Sequence, residues 1–450
     1  MTNLTQLRLA AREIFDETLR AVDAGAAVRR AVSLDGLQLS VGDTTLDIGN
    51  RKIYSVAIGK AAFSMAYALE QSMGDSFTAG FISGPSAPSS TGKLELKLSS
   101  RWQSREGGHP LPNQASLAAA NEAFELLRRA NDDRALVIFL ISGGGSAMLE
   151  WPADDRITLD DLRSANKALT NCGASIGEIN AVRRAFSAVK GGRLAMLAPA
   201  CDQLTLIVSD VPPGEEQNVA SGPTLAPPDD APNALEVIER FDLHTQLPES
   251  ILRSVKSDSR SPQTQSTALR RHFVLLDNHG ALEAAAEAAR RRGFATEIAG
   301  DISDQPIEEG CQQLLERLNT LSAQTKSRAS SDTNVVCLIS GGEFGCPVKG
   351  EGLGGRNLET ALRLAMDERL SRQFVALCAG TDGIDGNSPG AGAIVDSTTR
   401  ARARAIGLDP AAFLDRSDAY SFLIALGDAI ATGATGTNVR DVRILLKRSR

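Results

Sequence analysis

The chain is poor in the residues that build disulfide frameworks, zinc sites and membrane spans. Its six cysteines (Cys172, Cys201, Cys311, Cys337, Cys346 and Cys378) are scattered and form no CxxC pair. That spacing argues against a disulfide scaffold or a zinc ribbon and suits a reducing compartment. The four histidines, His109, His244, His272 and His279, do not cluster, which argues against a histidine-based metal site. No apolar run approaches the ~20 residues a membrane span needs. The opening stretch "LTQLRLAAREIFDETLRAV" has helical spacing, but Glu13, Asp16 and Glu17 are wrong for a transit peptide and no secretory signal stands out. A cytoplasmic location is the expectation.

A surplus of positive charge is missing too. The formal net charge is −7 and the pI is about 5.4. A general nucleic-acid or acidic-membrane surface is therefore disfavoured, although a pocket can still be locally basic. The 450 residues, 42% of them hydrophobic, are enough for sizeable cores and about two to three domains.

What the sequence does contain is a series of short apolar runs that end abruptly in Gly, Ser or Asp. They are "IYSVAIGK" (53–60), "LVIFLISGGG" (136–145), "LTLIVSDVPP" (204–213), "VVCLISGGE" (335–343) and "FVALCAGTDG" (374–383). Helical stretches such as 114–130 and 160–195 separate them, which predicts a mainly parallel sheet covered on both faces. In open α/β sheets, ligands gather beyond the carboxyl ends of the strands, so all five tails are candidate cleft linings. A Pro-rich zone at 221–236 and polar stretches at 254–271 and 322–334 read as turns, linker and surface loop. They place one domain at roughly 1–245 and another at roughly 246–450.

Lys60 lies where a helix begins, an end that is already electrically positive. Either it is simply solvated, or the ammonium and the helix N–H groups converge on an anion such as phosphate. The segment is not a Walker A loop: Ala61 follows the lysine and supplies no hydroxyl for magnesium. "ISGGGSA" (141–147) offers Gly143, Gly144 and Gly145 between Ser142 and Ser146, a turn that could wrap oxyanions or merely join strand to helix. "EINAVRRAFSAVKGGRLA" (178–195) is expected to set Arg183, Ser187 and Lys190 along one helix ending at Gly191–Gly192, with a solvated basic face as the plain alternative. Gly350, Gly352 and Gly355 satisfy GxGxxG only formally, because "FGCPV" before them makes a poor central strand. Arg356 and Asn357 open the following helix, and Arg356 has the planar fork suited to phosphate or carboxylate. Four carboxylates, Asp210, Glu343, Asp382 and Asp385, fall at strand ends and could hold magnesium or form ordinary Asp turns. Together these are the parts of phosphoryl transfer.

The motifs, taken in order, resemble class II glycerate kinases, the glycerate 2-kinase family whose C-terminal part is the MOFRL domain. "AIGKAA", "GGHPLP", "LISGGGSAML", "EINAVRRAFSAVKGGRLA", "IVSDVP", "ASGPT", "LISGGE", "GGRNLE", "AGTDGIDG" and "TGATGTNVRDV" carry the resemblance over nearly the whole chain. It implies two α/β domains, the first a Rossmann-like α/β/α layering with a mainly parallel sheet and the second containing a MOFRL region at about 333–442, with the active site between them. It implies ATP-dependent phosphorylation of D-glycerate at the 2-hydroxyl, with Mg²⁺ or another divalent cation. Lys60 and Arg356 fall on the family's catalytic lysine and arginine, and Asp210 on the aspartate of its "SDVP" motif. The substrate would be held by the 142–146 turn with Arg183, Lys190 and Asn357. The metal would be held by Glu343, Asp382 and Asp385. The sequence departs from the family's usual pattern at Asn113, at "PGEEQN" (213–218), at "NSPGAG" (387–392) and at Arg440. Partners are expected to be glycerate and ATP, with neither nucleic acid nor membrane and with a homodimer left open. The competing readings are a hydroxypyruvate reductase, which needs a nicotinamide site, and a kinase for a related hydroxy acid.

Overall fold

The structure is a computed structural model that describes residues 4–85, 97–257, 267–327, 335–367 and 373–448. It divides into two compact units, Ala24–Leu276 and a second made of Met1–Asp23 together with Asp277–Arg450. The division differs from the one expected in two ways. The boundary falls at 276/277, because the strand Arg270–Leu276 completes the sheet of the first unit. The helix Leu4–Ala21 belongs with the C-terminal half. There it buries Leu7, Ala11, Ile14 and Phe15, and its Arg8 lies 2.7 Å from both Asp396 and Asp428.

The first unit opens with a small antiparallel sheet of β1 (Val32–Asp35), β2 (Gln38–Val41) and β3 (Thr44–Asp47). Its main sheet contains β4 (Ile53–Ile58), β5 (Phe77–Ser83), β6 (Trp102–Arg105), β7 (Leu136–Ser142), β8 (Asp202–Val208) and β9 (Arg270–Leu276). All six are parallel, in the order β6-β5-β4-β7-β8-β9. Every residue of β4 and β7 is buried, which is why these strands read as continuous apolar runs without alternation. Helices are started by side chains that satisfy the free amides of the first turn. Asn113 caps Gln114–Asp132 reciprocally with Ser116, and Thr158 and Ser175 do the same with Asp161 and Glu178.

The expected helix over 178–195 ends early, at Ala185. Beyond it the chain bridges back to the 151–153 segment, with Ala188 N donating to Trp151 O and Ala153 N to Phe186 O. Gly191 and Gly192 then turn at φ of 65° and 81°. The loop expected over 322–334 is also shorter, since residues up to Ser327 continue the helix Ile307–Ser327; the remainder lies outside the described residues. The linker reading of 254–271 likewise falls partly on 258–266, outside them.

The second unit holds β10 (Ala295–Ile298), β11 (Val335–Ser340), β12 (Phe374–Gly380), β13 (Gly392–Asp396), β14 (Ala429–Ile430) and β15 (Asp441–Arg448), ordered β10-β11-β15-β12-β13-β14. This sheet is mixed, and only β10 and β11 pair in parallel. β15 runs antiparallel between β11 and β12. Hence the carboxyl ends of β11 and β12 and the start of β15 meet on one edge. Among the described residues no helix is long and apolar enough to cross a membrane.

Candidate functional site

In the first unit the tails of the adjacent strands β4 and β7 are stitched together. Lys60 N donates to Gly143 O at 2.9 Å, Ala61 N to Ser142 Oγ at 3.0 Å, and Ser142 Oγ to Ile58 O at 3.1 Å. The Ser142 hydroxyl is therefore a buried cross-link between the two turns. Gly59 permits the approach: it stands at φ 108°, and a Cβ there would lie 2.3 Å from Ser142 O. The Lys60 stem runs over the glycine turn, so that a Cβ on Gly144 would be 3.1 Å from Lys60 Cγ and 3.3 Å from His109 Cδ2. Lys60 is half-buried at the start of the helix Ala62–Met73, whose N-cap, Ala61, contributes no side-chain cap. The amides of Lys60, Ala61 and Ala62 are taken up within the protein, Ala62 N donating to Gly59 O at 3.2 Å, so what this helix start offers an anion is the ammonium and the positive end of the helix.

Ser146 lies 2.7 Å from Ser221 Oγ, which donates to Asn180 Oδ1 at 2.7 Å. Ala220 and Ser221 both take positive φ, 51° and 62°, so this chain reversal is held in an uncommon conformation. Asp210 follows β8 and is half-buried.

Arg183 lies on its helix as expected, whereas Lys190 is placed otherwise. Arg183 donates Nε to Asn166 Oδ1 at 2.9 Å. Burial pulls its pKa down to about 10 against the pull of Glu150. Lys190 is neither on a helix nor solvated: it is buried and ion-paired with Glu150, which also accepts from Ser187 Oγ at 2.6 Å. Burial lowers the Lys190 pKa, while Glu150 opposes that shift. Lys190 is thus buried with a protein counter-ion of its own.

The second unit gathers the remaining candidates on the edge where β11, β12 and β15 meet. Arg356 is fixed by two carboxylates: Nη2 is 2.8 Å from Glu343 Oε2, and Nε is 2.8 Å from Asp441 Oδ2. Burial disfavours its charge, but Asp441, Glu343, Asp385 and Asp382 outweigh this and hold its pKa above the usual arginine value. Asn357 donates Nδ2 to Asp441 Oδ1 at 2.8 Å. Asp385 caps the helix that Arg356 opens, accepting Asn357 N at 3.1 Å and Leu358 N at 2.8 Å. Burial, with Asp441 nearby, pushes Asp385 up to about 7 despite these N–H bonds. The amides of this helix start are thus met by a carboxylate of the protein itself, whereas those at Lys60 meet carbonyls and a hydroxyl.

The three glycines of the formal GxGxxG are accounted for by packing. A Cβ on Gly350 would lie 2.9 Å from the Arg416 backbone, one on Gly352 2.4 Å from Asp418, and one on Gly355 2.4 Å from Asp385. Residues the sequence reading did not assign are Asp441, Arg443 and Asn278. Arg443 is fully buried, sits 3.5 Å over the Phe344 ring and donates to the carbonyls of Gly341 and Gly342, thereby fixing the turn that carries Glu343. Asn278 ties that turn to β15, accepting from Gly342 N and donating to Asp441 O. The signal was present in "TNVRDV", where charged residues flank and enter an apolar strand.

Both units are α/β layers with cations and carboxylates at strand ends, and the protein is an enzyme of that architecture. A family model described as a domain of unknown function (DUF4147) matches residues 10–256, and the MOFRL family model matches residues 336–441. The chain is 34% identical to a glycerate kinase of Rattus norvegicus, over 99% of this chain and 94% of that one. It is 35% identical to an Agrobacterium vitis protein provisionally named a hydroxypyruvate reductase, over 87% and 86%. A crystal structure of glycerate kinase from Thermotoga maritima superposes with a TM-score of 0.77 at 31% identity, covering 98% and 99% of the two chains. The chain belongs to the glycerate kinases of the MOFRL family.

Proposed function

We propose that the protein is an ATP-dependent D-glycerate 2-kinase, yielding 2-phosphoglycerate and ADP. The observation that carries this reading is Lys60, a half-buried ammonium laid over the Gly143–Gly145 turn at a helix start that has no side-chain cap. In the proposed reaction the 2-oxygen of glycerate bonds to the γ-phosphorus as the bond to the ADP oxygen breaks, and the hydroxyl proton leaves to solvent by way of Asp210. Asp210 orients the hydroxyl, and Lys60 and Arg356 neutralise the phosphoryl oxygens. Such catalysis is mostly positioning and charge neutralisation. Glycerate's carboxylate is assigned to the amides of the glycine turn, with Arg183 the basic side chain beside it.

Among the described residues no three His, Cys, Asp or Glu side chains gather as a metal cluster, so a divalent cation would draw on the half-buried Glu343 and Asp382, which are hard oxygen donors, together with oxygens of the nucleotide. Asp385 is committed to the helix cap, so it orients Arg356 and Asn357. When bound, the cation would supply positive charge that offsets the phosphate oxygens.

The decisive experiment is a coupled ADP-release assay over a panel of small hydroxy acids, with phosphorus NMR of the product. Phosphate at C3 would contradict the 2-kinase reading, and faster turnover of another hydroxy acid would replace glycerate as substrate. The reductase reading has less support, since Gly350, Gly352 and Gly355 are packed against the chain itself. Loss of NADH absorbance with hydroxypyruvate would revive it.

A further inference from the structure

The hydroxyl of Ser146 has a fixed hydrogen-bond direction, set by a chain of side chains that leads away from the glycine turn. Ser146 Oγ meets Ser221 Oγ at 2.7 Å, and Ser221 Oγ donates to Asn180 Oδ1 at 2.7 Å. Asn180 Nδ2 donates to Asn218 Oδ1 at 3.2 Å and to Asn218 O at 3.4 Å. Asn218 Nδ2 donates in turn to Glu215 Oε2 at 3.2 Å. Ser221, Asn180 and Asn218 are buried, and Glu215 is half-buried. Glu215 and Asn218 both lie in the 213–218 segment, where the sequence leaves the family's usual pattern.

A carboxylate accepts and does not donate, so Glu215 draws the Asn218 amide nitrogen toward itself and leaves Asn218 Oδ1 for Asn180. The backbone carbonyl of Asn218 is also an acceptor only, and it orients the Asn180 amide the same way. Asn180 therefore turns Oδ1 to Ser221, which places its one proton there. The proton in the Ser146–Ser221 contact must then come from Ser146. Reversing an amide would set acceptor against acceptor and donor against donor inside a buried network, which is strongly disfavoured. The glycine turn lies close on this segment, since a Cβ on Gly145 would be 2.8 Å from Ala220 Cβ. Half-buried Ser146 thus keeps only lone pairs for a ligand at the turn.

Lone pairs repel carboxylate and phosphoryl oxygens and accept from a hydroxyl. The next step rests on the kinase reading, in which the 2-hydroxyl proton goes to Asp210 and the carboxylate to the turn amides and Arg183. The donor that glycerate has left is its 3-hydroxyl. We infer that Ser146 is a specificity-determining residue that accepts a hydrogen bond from the 3-hydroxyl, with Ser221 and Asn180 as the positioning residues that fix its direction. A site of this kind selects 2,3-dihydroxy acids over acids with a methyl or a carboxylate in place of the hydroxymethyl group.

The test compares D-glycerate with D-lactate, which lacks only the 3-hydroxyl, and with tartronate, which carries a second carboxylate there. ADP release and calorimetric binding are both measured on the full-length protein. An enclosed acceptor can reject an analogue lacking the hydroxyl by on the order of 10⁴–10⁵, and half-buried Ser146 should give about 100-fold between glycerate and lactate. Ser146→Ala should cut that ratio at least tenfold. Ser221→Ala frees the Ser146 proton to point at a ligand, so the preference for glycerate over tartronate should fall at least threefold. General loss of stability lowers activity toward all three acids and leaves both ratios in place. A glycerate-to-lactate ratio unmoved by Ser146→Ala, or a glycerate-to-tartronate ratio unmoved by Ser221→Ala, overturns the inference. Should Ser146→Ala not fold, Ser221→Ala decides the matter. If the wild type releases no ADP with glycerate, the kinase reading fails and the same ratios in calorimetric binding decide for or against Ser146. Phosphate at C3 in the phosphorus NMR spectrum of the product overturns both.

Discussion

Arg356 Nε stands 2.8 Å from Asp441 Oδ2, a contact between a helix start and the first residue of β15. Glu343 holds the same guanidinium from the opposite strand tail, so the fork is fixed before any ligand arrives. Replacing Asp441 with Asn should keep the shape but loosen the arginine. We expect kcat to fall about tenfold, the value of roughly one charge-assisted hydrogen bond, with unchanged circular dichroism. Arg356→Lys should cost more, on the order of 10³ in turnover, because lysine has no planar fork to share between two carboxylates. Near-wild-type ADP release from the lysine variant would remove Arg356 from the chemistry.

Stability should carry a pH signature from Asp385. Its folded pKa, about 7, lies above the ordinary 3.8. As pH rises through this window the unfolded chain releases its proton first, so the folded state loses stability between about pH 4 and 7. Urea unfolding at pH 5 and pH 8 should show a drop across that interval in the wild type that is smaller in Asp385→Asn. Equal slopes for the two proteins would refute the assignment.

The Glu150–Lys190 pair gives a contrast between single and double substitution. Lys190→Met alone strands a buried carboxylate and should destabilise the first unit by about 3–5 kcal/mol. Pairing it with Glu150→Leu should recover much of that loss, since the desolvation of both charges is then avoided. Denaturant midpoints of the three variants measure the coupling; strict additivity would mean that the pair does not interact.

Gly59→Ala tests the contact between strand tails. Its Cβ would lie 2.3 Å from Ser142 O at a φ of 108°. The clash and the backbone strain together should cost about 2–4 kcal/mol, lower Tm by several degrees and sharply reduce activity, because Lys60 is the next residue. A melting curve equal to wild type would show that the turns are not held as described.

The central strands were readable because burial on both faces writes itself as an unbroken apolar run, as in β4 and β7. The mixed order of the second sheet was not readable. β11 and β12 end in the same kind of tail as the parallel strands, and nothing local announces that β15 will insert between them from the far end of the chain. Lys60 and Arg356 were legible as cations at helix starts, but their partners were not. Asp385 reaches its helix start from 28 residues away, so the capping box pattern that marks Asn113 or Thr158 is absent. Lys190 was placed on a helix face because its spacing from Arg183 fits one. The break at Ala185 is imposed by pairing with residues 151–153, which periodicity cannot register.

The helix Leu4–Ala21 joins the core of the unit that the rest of the chain completes only at β15. Because Ala24–Leu276 intervenes in the chain, Leu7, Ile14 and Phe15 meet their packing partners only after that whole unit has been synthesised. A fragment beginning at Asp277 would therefore lack part of its own interior. Trimming a few residues at the amino end should weaken the half of the molecule that carries Arg356, far along the sequence from the cut.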